Sequence, residues 1–98
     1  MITRGMLMAK GLTEFQTDVL MATQRIPEGE TRSYKEVAAM AGYPNAYRAV
    51  GTTMKINPFA PIIPCHRVIK SDGSIGNYSN GGPRSKAMML KKEGAMRK

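Results

Sequence analysis

The chain holds one cysteine and one histidine, and they are neighbours: Cys65 and His66, followed at once by Arg67. A thiol becomes a nucleophile when a base or a positive charge favours its thiolate, so this triplet carries the means of activating its own sulfur. In a regular strand, side chains 65 and 66 would point to opposite faces. A working Cys and His pair therefore needs a turn at this point or a bridging water, and Pro64 supplies a reason for the chain to break there. The imidazole in turn needs an acceptor to orient it. Two carboxylates lie within reach in the sequence, Glu93 and Asp72, and spacing does not choose between them. On composition alone a single cysteine reads more simply as a small buried hydrophobe. A lone thiol and a lone imidazole also exclude an internal disulfide framework and a cysteine-rich zinc site.

Several elements must position this triplet. Residues 1–12 show no strong period and read as a mobile or weakly docked N-terminal arm. Thr13 and Gln16 have capping-box spacing, and Phe15, Val19, Ala22 and Ile26 follow at helical intervals, which predicts a helix over about 14–26. Pro27 and Gly29 end it, and 30–32 reads as a short extended connection without a strand signal. Ser33 and Glu36 repeat the capping box, and Tyr34, Val37, Ala38 and Ala41 form one stripe closed by Gly42. After the turn 42–45, Asn45 is placed to cap a third helix through about Lys55. Two short helices joined by a glycine-containing turn predict a helix-turn-helix, whose second helix presents Arg48, Thr52 and Lys55 on one face and turns Val50 and Met54 away. Three prolines in residues 58–64 then forbid a helix and lead an extended loop into Cys65. Val68 to Ile75 reads as a small hairpin around an Asp72-Gly73 turn, and Pro83 opens a last helix that ends near Glu93 and Gly94. The tail 95–98 is basic.

Ninety-eight residues make one small domain. A formal net charge of +8 on so short a chain points to a polyanionic partner, with nucleic acid ahead of an anionic membrane. No apolar run reaches the roughly 18 residues of a spanning helix, no lipid signal is present, and no secretory signal precedes the single thiol. These features predict no membrane association and a reducing compartment, the cytoplasm or, in a eukaryote, the nucleus.

The order of the pieces carries a resemblance. Asn57-Pro58, then Ile62-Ile63-Pro64-Cys65-His66-Arg67-Val68, then Gly76-Asn77-Tyr78-Ser79 with Gly81-Gly82, then a helix ending Glu93-Gly94 closely resembles the active-site domain of the alkylguanine-DNA alkyltransferases, the methylated-DNA-protein-cysteine methyltransferases. The resemblance covers about 13–94 and implies a mostly α fold with a small β-hairpin, a winged helix-turn-helix-like C-terminal domain without the family's N-terminal domain. It implies that Cys65 accepts the alkyl group of 6-O-alkylguanine flipped out of double-stranded DNA, that His66 removes the thiol proton through a water, that Glu93 orients His66 and that Asn57 braces the site. Tyr34 would press on a phosphate and protonate the departing base, and Arg48 would fill the gap left by that base. Thr52, Lys55 and Arg67 would add DNA contacts, while Tyr78, Ser79 and Met54 would line the pocket. The implied reaction is a single irreversible turnover with no metal and no organic cofactor, performed by a monomer. The alternative is the alkyltransferase-like proteins, which bind the flipped lesion and transfer nothing; they replace the active cysteine, whereas Cys65 stands in place here.

Overall fold

The computed structural model describes residues 1–60, 62–70 and 82–94. Among these residues, five helices and a two-stranded sheet follow one another as α1 (Arg4–Met8), α2 (Glu14–Thr23), β1 (Arg32–Ser33), α3 (Tyr34–Met40), α4 (Tyr47–Ile56), a 3₁₀ turn (Cys65–Arg67), β2 (Val68–Ile69) and α5 (Gly82–Lys92).

Local chemistry accounts for most helix boundaries. Both capping boxes form: Thr13 Oγ1 accepts from Gln16 N at 3.1 Å while Gln16 Oε1 accepts from Thr13 N at 2.9 Å, and Ser33 and Glu36 exchange the same pair of bonds. The first predicted helix is shorter than its apolar spacing suggested, because Gln24 caps it and Ile26 reaches the core from the following turn. α3 closes on Gly42 at φ 92°, with Tyr43 N donating to Ala38 O and Gly42 N to Ala39 O, the two bonds of a Schellman motif. Asn45 does not cap α4. That helix starts at Tyr47 with Ala46 at its N-cap and no side-chain capping bond, since the turn is closed instead by Ala46 N donating to Tyr43 O.

Residues 1–12 are not loose. Thr3 caps α1, Ile2 and Leu7 are buried in the core, and Gln24 takes both backbone groups of Ile2 in 2.8 Å bonds. Arg4 pairs with Asp18, which also accepts from the Tyr43 hydroxyl at 2.7 Å, so α1, α2 and the α3–α4 turn are tied at one point. Burying two aliphatic side chains contributes several kcal/mol against the entropy of ordering the segment, and the helix of α1 with the Gln24 and Asp18 bonds adds to it.

The sheet also differs from expectation. β2 pairs in parallel with β1, Arg32 opposite Val68 and Ser33 opposite Ile69. Arg32 and Ser33, in a stretch without a strong strand signal of its own, become a strand by finding this partner. The proposed Asp72-Gly73 turn and the return arm through Ile75 lie outside the described residues, as does the tail 95–98. Beneath these elements Val19, Leu20, Ile26, Val37, Val50, Met54, Ile63 and Val68 form one core with Cys65 in its wall. No helix among the described residues is long and apolar enough to cross a membrane.

Candidate active site

Cys65 and His66 sit in the 3₁₀ turn that the Pro64 break allows, so the two side chains are not forced to opposite faces. Arg67 N donates to Pro64 O at 2.9 Å and Cys65 N to Ile63 O at 2.8 Å, closing the turn. Asn57, buried at the end of α4, braces the approach: its Nδ2 donates to Ile63 O at 2.9 Å and its Oδ1 accepts from Phe59 N at 3.0 Å. One side-chain amide thereby fixes both ends of the proline-rich loop that delivers the cysteine.

Of the two carboxylates in question, Glu93 meets the imidazole, with His66 Nε2 and Glu93 Oε2 2.8 Å apart. Asp72 lies outside the described residues. Glu93 also receives Arg67 in a bidentate pair, Nε to Oε1 at 2.9 Å and Nη2 to Oε2 at 2.8 Å. The Arg67 bonds, and after them the His66 bond, hold the Glu93 carboxyl down to about 2 against the opposing effect of its burial. An ionised carboxylate only accepts, so His66 Nε2 carries the proton and Nδ1 is left as the proton-accepting nitrogen of the ring. The arrangement can hold a neutral imidazole as a base beside a buried thiol. Cys65 and His66 are both buried, 0% and 1% exposed, which keeps bulk water from competing at the sulfur.

Two of the expected site residues are largely or fully buried. Arg67 is turned inward: its side chain is only 15% exposed, and its third bond runs from Nη1 to Ile26 O at 2.7 Å. Its guanidinium is spent locking Glu93 and the end of α2. Met54 is fully buried in the core, with the Thr23 hydroxyl 4.0 Å from its sulfur. Arg48, Thr52 and Lys55 are exposed on one face of α4, where the helical spacing put them, while Val50 and Met54 are buried on the other. Tyr34 opens α3 and is half-buried against the core, its ring 5.5 Å below the Lys86 ammonium. Tyr78 and Ser79 lie outside the described residues. Among the described residues no three His, Cys, Asp or Glu side chains gather where they could hold a metal ion.

Lys86 is the residue that sequence reasoning missed. It is fully buried on α5, and burial pulls its ammonium down to about 8, with the charge of Cys65 acting in the opposite sense. The available signal is spacing: Lys86, Leu90 and Glu93 fall four and three residues apart, on the stripe that α5 turns inward.

Residues 14–95 match the model of the 6-O-methylguanine DNA methyltransferase DNA-binding domain. The chain belongs to that family. It is 56% identical over 69 residues to a methylated-DNA--protein-cysteine methyltransferase of Methanosarcina barkeri, a match covering 70% of this chain and 44% of that protein. It is 58% identical over 66 residues to the Rattus norvegicus protein of the same name, covering 67% of this chain and 32% of the relative. The chain thus spans half or less of the length of these relatives. The fold superposes on that of Mycobacterium tuberculosis OGT solved in complex with DNA, at a TM-score of 0.81 and 46% identity over 86% of this chain and 52% of that one. It also superposes on S. pombe Atl1 in complex with damaged DNA containing O6-carboxymethylguanine, at a TM-score of 0.74 and 34% identity over 85% of this chain and 78% of Atl1.

Proposed function

We propose that this domain repairs DNA by direct reversal, taking the alkyl group of 6-O-alkylguanine onto Cys65 in a single turnover. The observation that carries the proposal is the His66–Glu93–Arg67 chain, in which a locked carboxylate holds the imidazole in its basic tautomer beside a buried thiol in the same turn. A structural cysteine has no use for such an arrangement.

A guanine stacked in a duplex is out of reach of a buried sulfur, so the target base must leave the helix, at a cost of a few kcal/mol. The exposed α4 face with Arg48, Thr52 and Lys55 lies on the phosphates, and Arg48 occupies the space the base vacates. Tyr34 meets the phosphate of the flipped nucleotide, and Tyr78 and Ser79 line the pocket, as the family resemblance implies. His66 takes the thiol proton through a water. The thiolate then attacks the alkyl carbon: a carbon–sulfur bond forms, the carbon–oxygen bond breaks, and guanine leaves with the electron pair as it accepts a proton from Tyr34. The thioether is not readily hydrolysed, so the protein is spent. The working unit is residues 13–94 with the N-terminal segment docked on it, acting as a monomer in the compartment that holds the DNA, the cytoplasm or a eukaryotic nucleus.

The second reading is a lesion binder that transfers nothing. The likeness to S. pombe Atl1, solved with damaged DNA and superposing at a TM-score of 0.74, is the observation that favours it. Intact mass measurement after incubation with methylated duplex DNA separates the two. Transfer predicts one added methyl group per chain, mapped to Cys65 and absent in Cys65→Ala; lesion binding with no mass change would establish the second reading instead.

A further inference from the structure

The start of α4, the helix that exposes Arg48, Thr52 and Lys55, is not fixed by a cap of its own. Ala46 stands at the N-cap without a side-chain bond, and the turn before it contains Gly42 in the left-handed region at φ 92°. Such a turn permits more than one angle between the helices it joins unless a contact from outside selects one. The direction of α4 therefore depends on what holds residues 42–46.

Tyr43 holds them. Its backbone N donates to Ala38 O at 2.8 Å, which closes α3, and its backbone O accepts from the N of Ala46, the N-cap of α4, at 2.9 Å. Its side chain crosses to α2. There the ring meets Phe15 edge to face, with centroids 4.8 Å apart and planes at 77°, and the hydroxyl donates to Asp18 Oδ2 at 2.7 Å. A hydroxyl bonded to a carboxylate makes a charge-assisted contact, stronger than a bond between neutral groups. The carboxylate is held at its other oxygen by Arg4 on α1, the helix that Leu7 and the Ile2–Gln24 bonds fasten to the core. A continuous line of contacts thus runs from the N-terminal segment through Arg4, Asp18 and Tyr43 to the first residue of α4.

We propose that Tyr43 is a positioning residue for duplex recognition: clamped to Asp18 and Phe15, it holds α4 at the angle where Arg48, Thr52 and Lys55 meet the DNA together. The inference deepens the proposed function and rests on that face of α4 being the DNA-binding face. Tyr43 acts through the population of one orientation. A helix that samples several angles binds through the competent one, and its apparent affinity falls by the fraction of time spent there. Removing one hydrogen bond of ordinary net strength changes such a population by about fivefold. The competing account is that these side chains matter to DNA only through their charge. The two accounts differ in sign at Asp18: Asp18→Ala removes a negative charge from a chain of net charge +8, so charge alone predicts tighter binding, whereas loss of the clamp predicts weaker binding.

The test uses the full chain and unmodified duplex DNA, so no measurement requires alkyl transfer. Tyr43→Phe keeps the ring, the backbone bonds and the net charge and removes only the hydroxyl; its Kd should rise by about fivefold at fixed salt, with the salt dependence unchanged. Asp18→Ala should weaken binding in the same direction, and adding Tyr43→Phe to it should cause no further loss, because both substitutions break the same contact. In the DNA-free protein, NMR relaxation dispersion at the amides of residues 42–49 should be larger in Tyr43→Phe than in the wild type, reporting reorientation of the start of α4 on the μs–ms timescale. A merely structural tyrosine would lower thermal stability and leave the Kd where it was. Wild-type affinity in Tyr43→Phe, tighter binding by Asp18→Ala, or additive losses in the double variant would overturn the proposal. A wild type that binds duplex DNA yet takes up no methyl group would refute the transfer reading, while these affinities still decide the role of Tyr43.

Discussion

Arg67→Met removes a guanidinium that makes three bonds, two to Glu93 and one to the carbonyl of Ile26, and its consequences follow from the charge it leaves behind. Glu93 has only 11% of its side chain exposed, so without Arg67 its carboxylate keeps a single partner, His66, in a site largely closed to water. A carboxyl lowered from 4.5 to about 2 corresponds to at most about 3.4 kcal/mol. Its residual contact with solvent reduces this to about 2 kcal/mol, and the lost bond to Ile26 adds about 1 kcal/mol. Because the folded state holds this carboxyl below its unfolded value, the stabilisation is fully present above pH 4.5 and is lost as the pH falls toward 2. Urea denaturation of wild type and variant should therefore differ by about 3 kcal/mol at pH 7, equivalent to a drop in Tm of roughly 10–20 °C. The difference should shrink to the contribution of the Ile26 bond near pH 2. Duplex affinity should keep the same salt dependence in the variant, since Arg67 neutralises no phosphate. A variant of wild-type stability at pH 7, or a stability difference independent of pH, would refute the argument; a shallower salt slope would restore Arg67 to the DNA surface.

Leu7→Ala tests the docking of the N-terminal segment: emptying a fully buried site should cost about 2–4 kcal/mol by chemical denaturation, whereas a change below about 0.5 kcal/mol would return residues 1–12 to a loose arm. Arg48→Ala should slow methyl removal from duplex DNA by at least tenfold in single-turnover assays and leave the reaction with free 6-O-benzylguanine unchanged, because the free base needs no flipping; equal losses on both substrates would place Arg48 in the fold or the site rather than in the gap left by the base.

The parts of this protein that its sequence determines by itself are those set within a few residues. Thr13 with Gln16 and Ser33 with Glu36 start their helices because each capping partner lies three residues away, and Gly42 closes α3 because its positive φ suits a residue without a β-carbon. The exposed face of α4 follows from the helical period alone, and the thiol, imidazole and guanidinium of Cys65, His66 and Arg67 follow from their being consecutive. Tertiary structure decided what depends on partners far along the chain. Arg32 and Ser33 are a strand only because Val68 and Ile69 lie alongside them, and the first twelve residues are ordered only because the core has room for Ile2 and Leu7. Arg67 reads in the sequence as one more basic residue on a basic chain. It turns inward because the end of α5 brings Glu93 within 2.9 Å of it, a separation of 26 residues that no local pattern encodes. The burial of Lys86 has the same origin: the helical stripe specifies that it shares a face with Leu90 and Glu93, but only the packing of α5 against the cysteine turn removes that face from water. Local hydrogen bonds and side-chain period choose the elements, whereas the environment of each charge depends on which surfaces the closed core brings together.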